Sequence, residues 1–116
     1  MRSVLFLARF CVLSVVVVLS SNAAWGGPDA QRQRQLQNLV RQDCGSCHGM
    51  TLKGGLGKAL LPSSLKNLSV SDVTETILDG VPGTPMPPWR ELLNEQEAKW
   101  IAESLKNGSI QRGNVK

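Results

Sequence analysis

The chain has 116 residues, with thirteen Lys and Arg against nine Asp and Glu, three Trp, two Phe and no Tyr. Its length allows one domain with a small apolar core. The modest excess of positive charge, with no aromatic residues interleaved among basic runs, gives no footing to nucleic-acid binding.

Residues 1 to 23 have the pattern of a secretory signal peptide. Arg2 and Arg9 form a positive start, Phe10 to Leu19 is an apolar run, and Ser21-Asn22-Ala23 offers a small-x-small cleavage site. As a membrane anchor the run is short of the roughly 20 residues a spanning helix needs. Cys11 follows Ala8-Arg9-Phe10, which is not the small-residue context of a lipid-attachment site, and it leaves with the signal. Cleavage after Ala23 leaves about 90 residues, one domain in the periplasm with no membrane attachment of its own. The loss of Arg2 and Arg9 also makes the exported molecule less basic than the whole chain. Phe6 and Phe10 go as well, leaving Trp25, Trp89 and Trp100 as the aromatic content. A core this thin calls for a staple.

Residues 24 to 29 read as a flexible lead-in punctuated by Gly26-Gly27-Pro28. From Ala30 to Cys47 the pattern is helical, with Leu36, Leu39, Val40, Cys44, Cys47 and His48 on one stripe. That stripe ends in Cys44-Gly45-Ser46-Cys47-His48, the C-x-x-C-H pattern of covalent haem c attachment. Two thiols at i and i+3 share one face of a helical turn, within reach of two haem vinyl groups, and the imidazole at i+4 can ligate the iron. His48 is the only histidine in the chain. A structural zinc site needs about four N or S ligands, and beyond this motif only Cys11 remains. A thioredoxin-like disulfide would need a βαβ pattern, and none is visible. The expected cofactor is one covalent haem c.

Gly49 to Pro62 is glycine-rich and aperiodic, a loop with apolar anchors at Leu52, Leu56, Leu60 and Leu61. It lacks the ending of a phosphate-binding loop, so its glycines point to close wrapping against a haem edge. A second helix is predicted over Asp72 to Leu78, with Ser71 as N-cap and Gly80 just past its end. Val81 to Trp89 contains four prolines in nine residues and must be a stiff, extended loop. A last helix opens at Asn94, with Glu97 at the capping-box position. Ala98, Ile101, Ala102 and Leu105 form its apolar stripe, Trp100 stands at the stripe's edge, and Gly108 stops it. The haem domain thus spans residues 30 to 108, and residues 109 to 116 are expected to form a frayed tail. No segment alternates with period two for long enough to be a strand, so the predicted class is all-α, a helical shell around one haem.

The second axial ligand decides the chemistry, because a filled iron suits electron transfer and an open one invites ligands. A second histidine does not exist, Met1 belongs to the signal, and Met50 is tied to the same side of the ring as His48. Lys53 and Lys58 would have to lose a proton to ligate. Met86 remains, between Pro85 and Pro87, on a segment denied a helix. A core-filling methionine is the bland alternative, but a proline-flanked loop is an odd place for filler. The expected set is therefore Cys44 and Cys47 as thioether anchors, His48 as proximal ligand and Met86 as distal ligand. Such a closed site suits a one-electron carrier. It does not suit an enzyme or a gas sensor.

Three stretches carry a family resemblance: Cys44 to Gly57, Gly83-Thr84-Pro85-Met86-Pro87-Pro88-Trp89, and Trp100-Ile101. The chain resembles class I c-type cytochromes, and within them it is similar to the small cytochrome c-55X group encoded beside the haem c/haem d1 nitrite reductase of denitrifying bacteria. The resemblance implies the class I fold, with first and last helices crossing beside the haem and Trp100 at the crossing. It implies a redox partner protein, nitrite reductase, approached by a monomer, as electron donor or alternatively as an assembly factor for haem d1 insertion. The chain departs from the broader pattern after Gly57, where Lys58 stands in place of a proline whose carbonyl commonly accepts from the proximal histidine. Trp89 has two readings, as donor to a haem propionate or as simple packing under the Met86 loop. Lys53, Lys58 and Lys66 are candidates to rim the haem edge and steer an acidic partner.

Overall fold

A computed structural model describes residues 26–113. The expected signal peptide, Cys11 and Trp25 lie outside the described residues, as does the end of the expected tail from residue 114. The described elements are α1 (Ala30–Leu39), a π-helical turn (Val40–Cys44), α2 (Gly45–His48), α3 (Val70–Asp79), α4 (Glu95–Lys106) and α5 (Ser109–Arg112). No strand occurs among the described residues, and the all-α expectation holds.

The first helix starts where Asp29 accepts from the backbone N–H of Arg32 at 2.8 Å, satisfying one of the free donors of the first turn. It then runs to His48 without a break, but not as a uniform α-helix. Over Val40–Cys44 the winding loosens, and Gly45 N–H bonds back five residues to the Val40 carbonyl. Turns of this kind are rare and are frequently found at functional sites. The surplus residue falls between the buried pair Leu36 and Val40, which face the core, and the cysteine motif. Periodicity alone does not reveal it, because apolar spacing of three and four continues through it.

The second predicted helix begins earlier than expected. Ser69, not Ser71, is the N-cap of α3: its hydroxyl accepts from Asp72 N–H at 3.0 Å, and Asp72 reaches back to Ser69 N–H at 2.8 Å. Aspartate completes this capping box in place of the usual Glu or Gln, which hid the signal. Ser71 instead donates to Glu75 at 3.2 Å on the surface. The last predicted helix opens as read, with Asn94 and Glu97 forming a reciprocal cap at 2.9 and 3.0 Å.

The frayed tail is corrected over its first part. Gly108, at φ 77°, redirects the chain into α5, and Ile110 is 1 % exposed. One buried isoleucine and the bond from Gln111 Nε2 to the Leu60 carbonyl at 2.7 Å give this turn its anchorage.

The core lies where α1 and α3 pack on α4. Leu36, Val40, Ala98, Ile101, Ala102 and Leu105 are at most 2 % exposed. The small residues Ala98 and Ala102 are fully buried in this core, and Arg32 of α1 pairs with Glu97 of α4 at 2.5 Å. Trp100 is partly buried and packs against this core. Among the described residues, no helix is long and apolar enough to cross a membrane.

Candidate haem site

The glycine-rich loop closes on the attachment segment. Gly57 N–H donates to the Cys47 carbonyl and Gly54 N–H to the His48 carbonyl, both at 2.8 Å, so the loop satisfies acceptors left free at the end of α2. The glycines are a matter of space. A Cβ on Gly55 would lie 2.7 Å from the Cys47 carbonyl oxygen, and one on Gly57 would lie 2.7 Å from both Nδ1 and Cε1 of His48. They therefore accommodate the histidine and its helix, and Gly57 also borders the cavity described below. Leu52, at φ 60° and 2 % exposed, takes a positive φ uncommon for a leucine, held by its burial and by backbone bonds to Gly49 and Leu60. Leu60 and Leu61 are partly buried, and Leu56, expected to be an anchor, is not packed into the protein core but borders the cavity described below.

The backbone of this loop also orients the imidazole. His48 Nδ1 lies 2.6 Å from the Lys58 carbonyl oxygen. A carbonyl can only accept, so Nδ1 carries the proton and Nε2 keeps its lone pair free for a metal. The bond that a proline carbonyl commonly accepts is thus made here to the Lys58 carbonyl, since a carbonyl is available at any residue. Cys44 and Cys47 are both free thiols. Burial, with the adjacent Asp43 charge adding to it, pushes the Cys44 thiol up to about 11. It therefore stays protonated at neutral pH.

The Met86 loop is clamped to the end of α3. Val81 N–H donates to the Met86 carbonyl at 3.1 Å, and Trp89 N–H donates to the carbonyls of Ile77 and Leu78 at 3.2 and 3.1 Å. Thr84 Oγ1 donates to the Val81 carbonyl at 2.7 Å and accepts from Met86 N–H at 3.3 Å. Gly80, at φ 67°, lets this happen: a Cβ there would sit 2.6 Å from the Met86 carbonyl oxygen. Just past the loop, Arg90 pairs with Asp79 at 2.5 Å.

These parts enclose a cavity of about 520 Å³ lined by Cys44, Cys47, His48 and Met86, with Leu65, Ile101 and Leu105 among its apolar walls. Met50 is 62 % exposed and does not line it. Trp89 lines it and packs on the core; of the three candidate lysines only Lys58 borders it. Among the described residues, no three His, Cys, Asp or Glu cluster as a metal site would require. Protein interiors are close-packed with few voids larger than a water. Cofactor pockets commonly span about 300–1,000 Å³. An apolar void of this size, bordered by two thiols, an oriented imidazole and a thioether, fits a covalently held haem. Sequence reasoning missed the roles of Gly57 and Gly80, because each depends on a contact with a residue that only the fold brings near.

Comparison with known proteins agrees with this architecture. The family profile described as cytochrome c oxidase, cbb3-type, subunit III matches residues 31–103. Cytochrome c55X of Paracoccus denitrificans is 50 % identical over 99 residues, covering 85 % of this chain and 94 % of that protein. The solved structure of a c-type cytochrome NirC superposes with a TM-score of 0.70 at 51 % identity, over 72 % of this chain and 98 % of the other. A third likeness is to part of a larger protein: dihydro-heme d1 dehydrogenase NirN in complex with DHE matches with a TM-score of 0.56 at 37 % identity, over 60 % of this chain and 15 % of that one. The chain is a small all-helical c-type cytochrome of class I and belongs to the cytochrome c55X family.

Proposed function

We propose that the chain is a periplasmic, monomeric one-electron carrier that holds one covalent haem c and donates to the haem d1-containing nitrite reductase of denitrification. Residues 1 to 23 direct export and are removed, and residues 30 to 108 form the haem domain. Cys44 and Cys47 hold the haem, and His48 and Met86 are its axial ligands. Bound haem supplies an iron that changes oxidation state by one electron. The protein's part is to keep the surroundings the same in both states. The observation that carries this reading is that His48 and Met86 border one cavity on segments fixed by backbone hydrogen bonds. A thioether on a clamped loop has little conformational freedom left to lose on ligation. It also raises the potential relative to a second histidine, which favours a carrier over a site that binds oxygen or peroxide.

One observation favours a second reading, that of an assembly factor for haem d1 insertion. The likeness to a segment of a dihydro-heme d1 dehydrogenase links this type of domain to a protein that acts on dihydro-heme d1. A deletion strain separates the two. Full haem d1 occupancy of nitrite reductase with slowed nitrite reduction supports the carrier. Reductase that contains haem c but is depleted in haem d1, even with other electron donors abundant, refutes it as the principal role.

A further inference from the structure

Three leucines that line the cavity, Leu60, Leu65 and Leu68, come from residues 60–68, a stretch with no regular helix. Its own backbone makes only short turns: Leu65 N–H donates to the Leu61 carbonyl and Leu68 N–H to the Leu65 carbonyl, both at 3.1 Å. Yet the carbonyl of each cavity-lining leucine also accepts from a side chain near the end of the chain. Gln111 Nε2 donates to the Leu60 carbonyl at 2.7 Å. Lys106 Nζ donates to the Leu65 carbonyl at 2.7 Å and to that of Leu68 as well. Lys106 stands in the last turn of α4 and Gln111 in α5. Lys106 forms no ion pair among the described residues, so its ammonium is committed to these two carbonyls. Hydrogen bonds from a charged donor are about twice as strong as neutral ones.

We propose that Lys106 and Gln111 are positioning residues for the haem, strapping the wall of Leu60, Leu65 and Leu68 against it and keeping water out. The inference rests on the haem reading of the cavity and is independent of which partner the protein serves. A stretch held by turns alone opens at little cost, and the strap raises that cost. Because it grips main-chain acceptors, the leucine side chains remain free to face the cavity. The apolar shell of a metal site controls solvent access and dielectric, and through them the reduction potential. Ferric haem carries one positive charge more than ferrous haem, so water entering past a loosened wall favours the ferric state. The strap therefore holds the potential up.

The test compares haem-loaded wild type with Lys106→Met, Lys106→Arg and Gln111→Met, each poised against the same redox mediator and followed by hydrogen exchange. Lys106→Met is expected to lower the ratio of reduced to oxidised protein about threefold while the spectrum stays low-spin, since neither axial ligand is touched. Its Leu65 and Leu68 amides are expected to exchange about tenfold faster, the loss of roughly one hydrogen bond's net contribution. Gln111→Met, which changes no charge, should shift both readings in the same direction by less. Lys106→Arg should match wild type, because a guanidinium keeps the charge and can donate to both carbonyls. Should Lys106→Met fail to fold, Gln111→Met reads the same two quantities. Ratios and exchange rates equal to wild type in the Met variants overturn the strap and leave the haem reading standing. A lower ratio in Lys106→Met without faster exchange reduces the effect to the lysine charge and overturns the strap too. A wild-type protein that takes up no covalent haem overturns the haem reading and this inference with it.

Discussion

The Lys58 carbonyl oxygen lies 2.6 Å from His48 Nδ1, and the adjacent residue, Gly57, leaves no room for a Cβ against the same ring. One backbone segment thus sets both the tautomer and the tilt of the only histidine in the chain. A lysine can supply this acceptor where a proline is common, because the interaction uses the main chain.

Substituting these two neighbours should therefore have opposite results. Gly57→Ala places a methyl group 2.7 Å from the imidazole, so the ring must move. The haem-loaded variant is expected to show a high-spin fraction in its absorption spectrum and a melting temperature lower by several degrees, about 4–8 °C per kcal/mol for a domain of this size. Lys58→Ala keeps the carbonyl and should keep the wild-type spectrum. A Gly57→Ala protein spectrally identical to wild type would refute the steric argument.

Gly80 should be nearly as intolerant, for a reason on the other ligand. Its backbone, at φ 67° and ψ −169°, lies in a region essentially reserved for glycine, and its Cβ would meet the Met86 carbonyl at 2.6 Å. Gly80→Ala is expected to loosen the Met86 loop, so that the reduced protein binds carbon monoxide faster than wild type. Unchanged kinetics would mean that the clamp does not govern Met86.

Acid should weaken the helix pairing through Glu97. Hydrogen bonding from the Arg32 side chain, above all, holds the Glu97 carboxyl below the usual carboxylate range. A depressed folded-state pKa contributes stability that is fully present above the unfolded value, about 4.3 for Glu. That contribution is lost as pH falls through the lower, folded value. Denaturant melts from pH 7 to pH 3 are expected to show stability declining below about pH 4.3, and a shallower decline in Glu97→Gln. Parallel curves for the two proteins would exclude this pair as a source of the acid sensitivity.

Removing both attachment thiols should remove the fold. Cys44→Ala with Cys47→Ala leaves the 520 Å³ cavity with nothing to hold its contents, in a chain too small to tolerate such a void. Circular dichroism is expected to show a largely unfolded protein. A stable helical domain without haem would contradict the view that the core is built around the cofactor.

What was legible in the sequence was local. The Cys44-to-His48 motif, the Asn94/Glu97 cap and the proline-stiffened Met86 segment are each written in a few consecutive residues, and the structure places the four expected haem-site residues around one cavity. What was not legible depends on residues far apart in the chain. Leu56 reads as an anchor by hydrophobicity, yet the glycines beside it are taken up by Cys47 and His48, which leaves the leucine out of the protein core, at the border of the cavity. The buried turn at Ile110 looked like tail because a single apolar residue has no period. The π-helical turn leaves no mark in a stripe whose spacing both windings satisfy.

The central claim is that Met86 closes the iron across from His48, and carbon monoxide tests it directly. The dithionite-reduced, haem-loaded protein is mixed with carbon monoxide and followed spectrally, with Met86→Ala as the open-site reference. The account predicts a low-spin wild type that binds slowly or not at all and a variant that binds at once. A wild-type protein that is high-spin and as fast as Met86→Ala would contradict the carrier and make the haem a ligand-binding site.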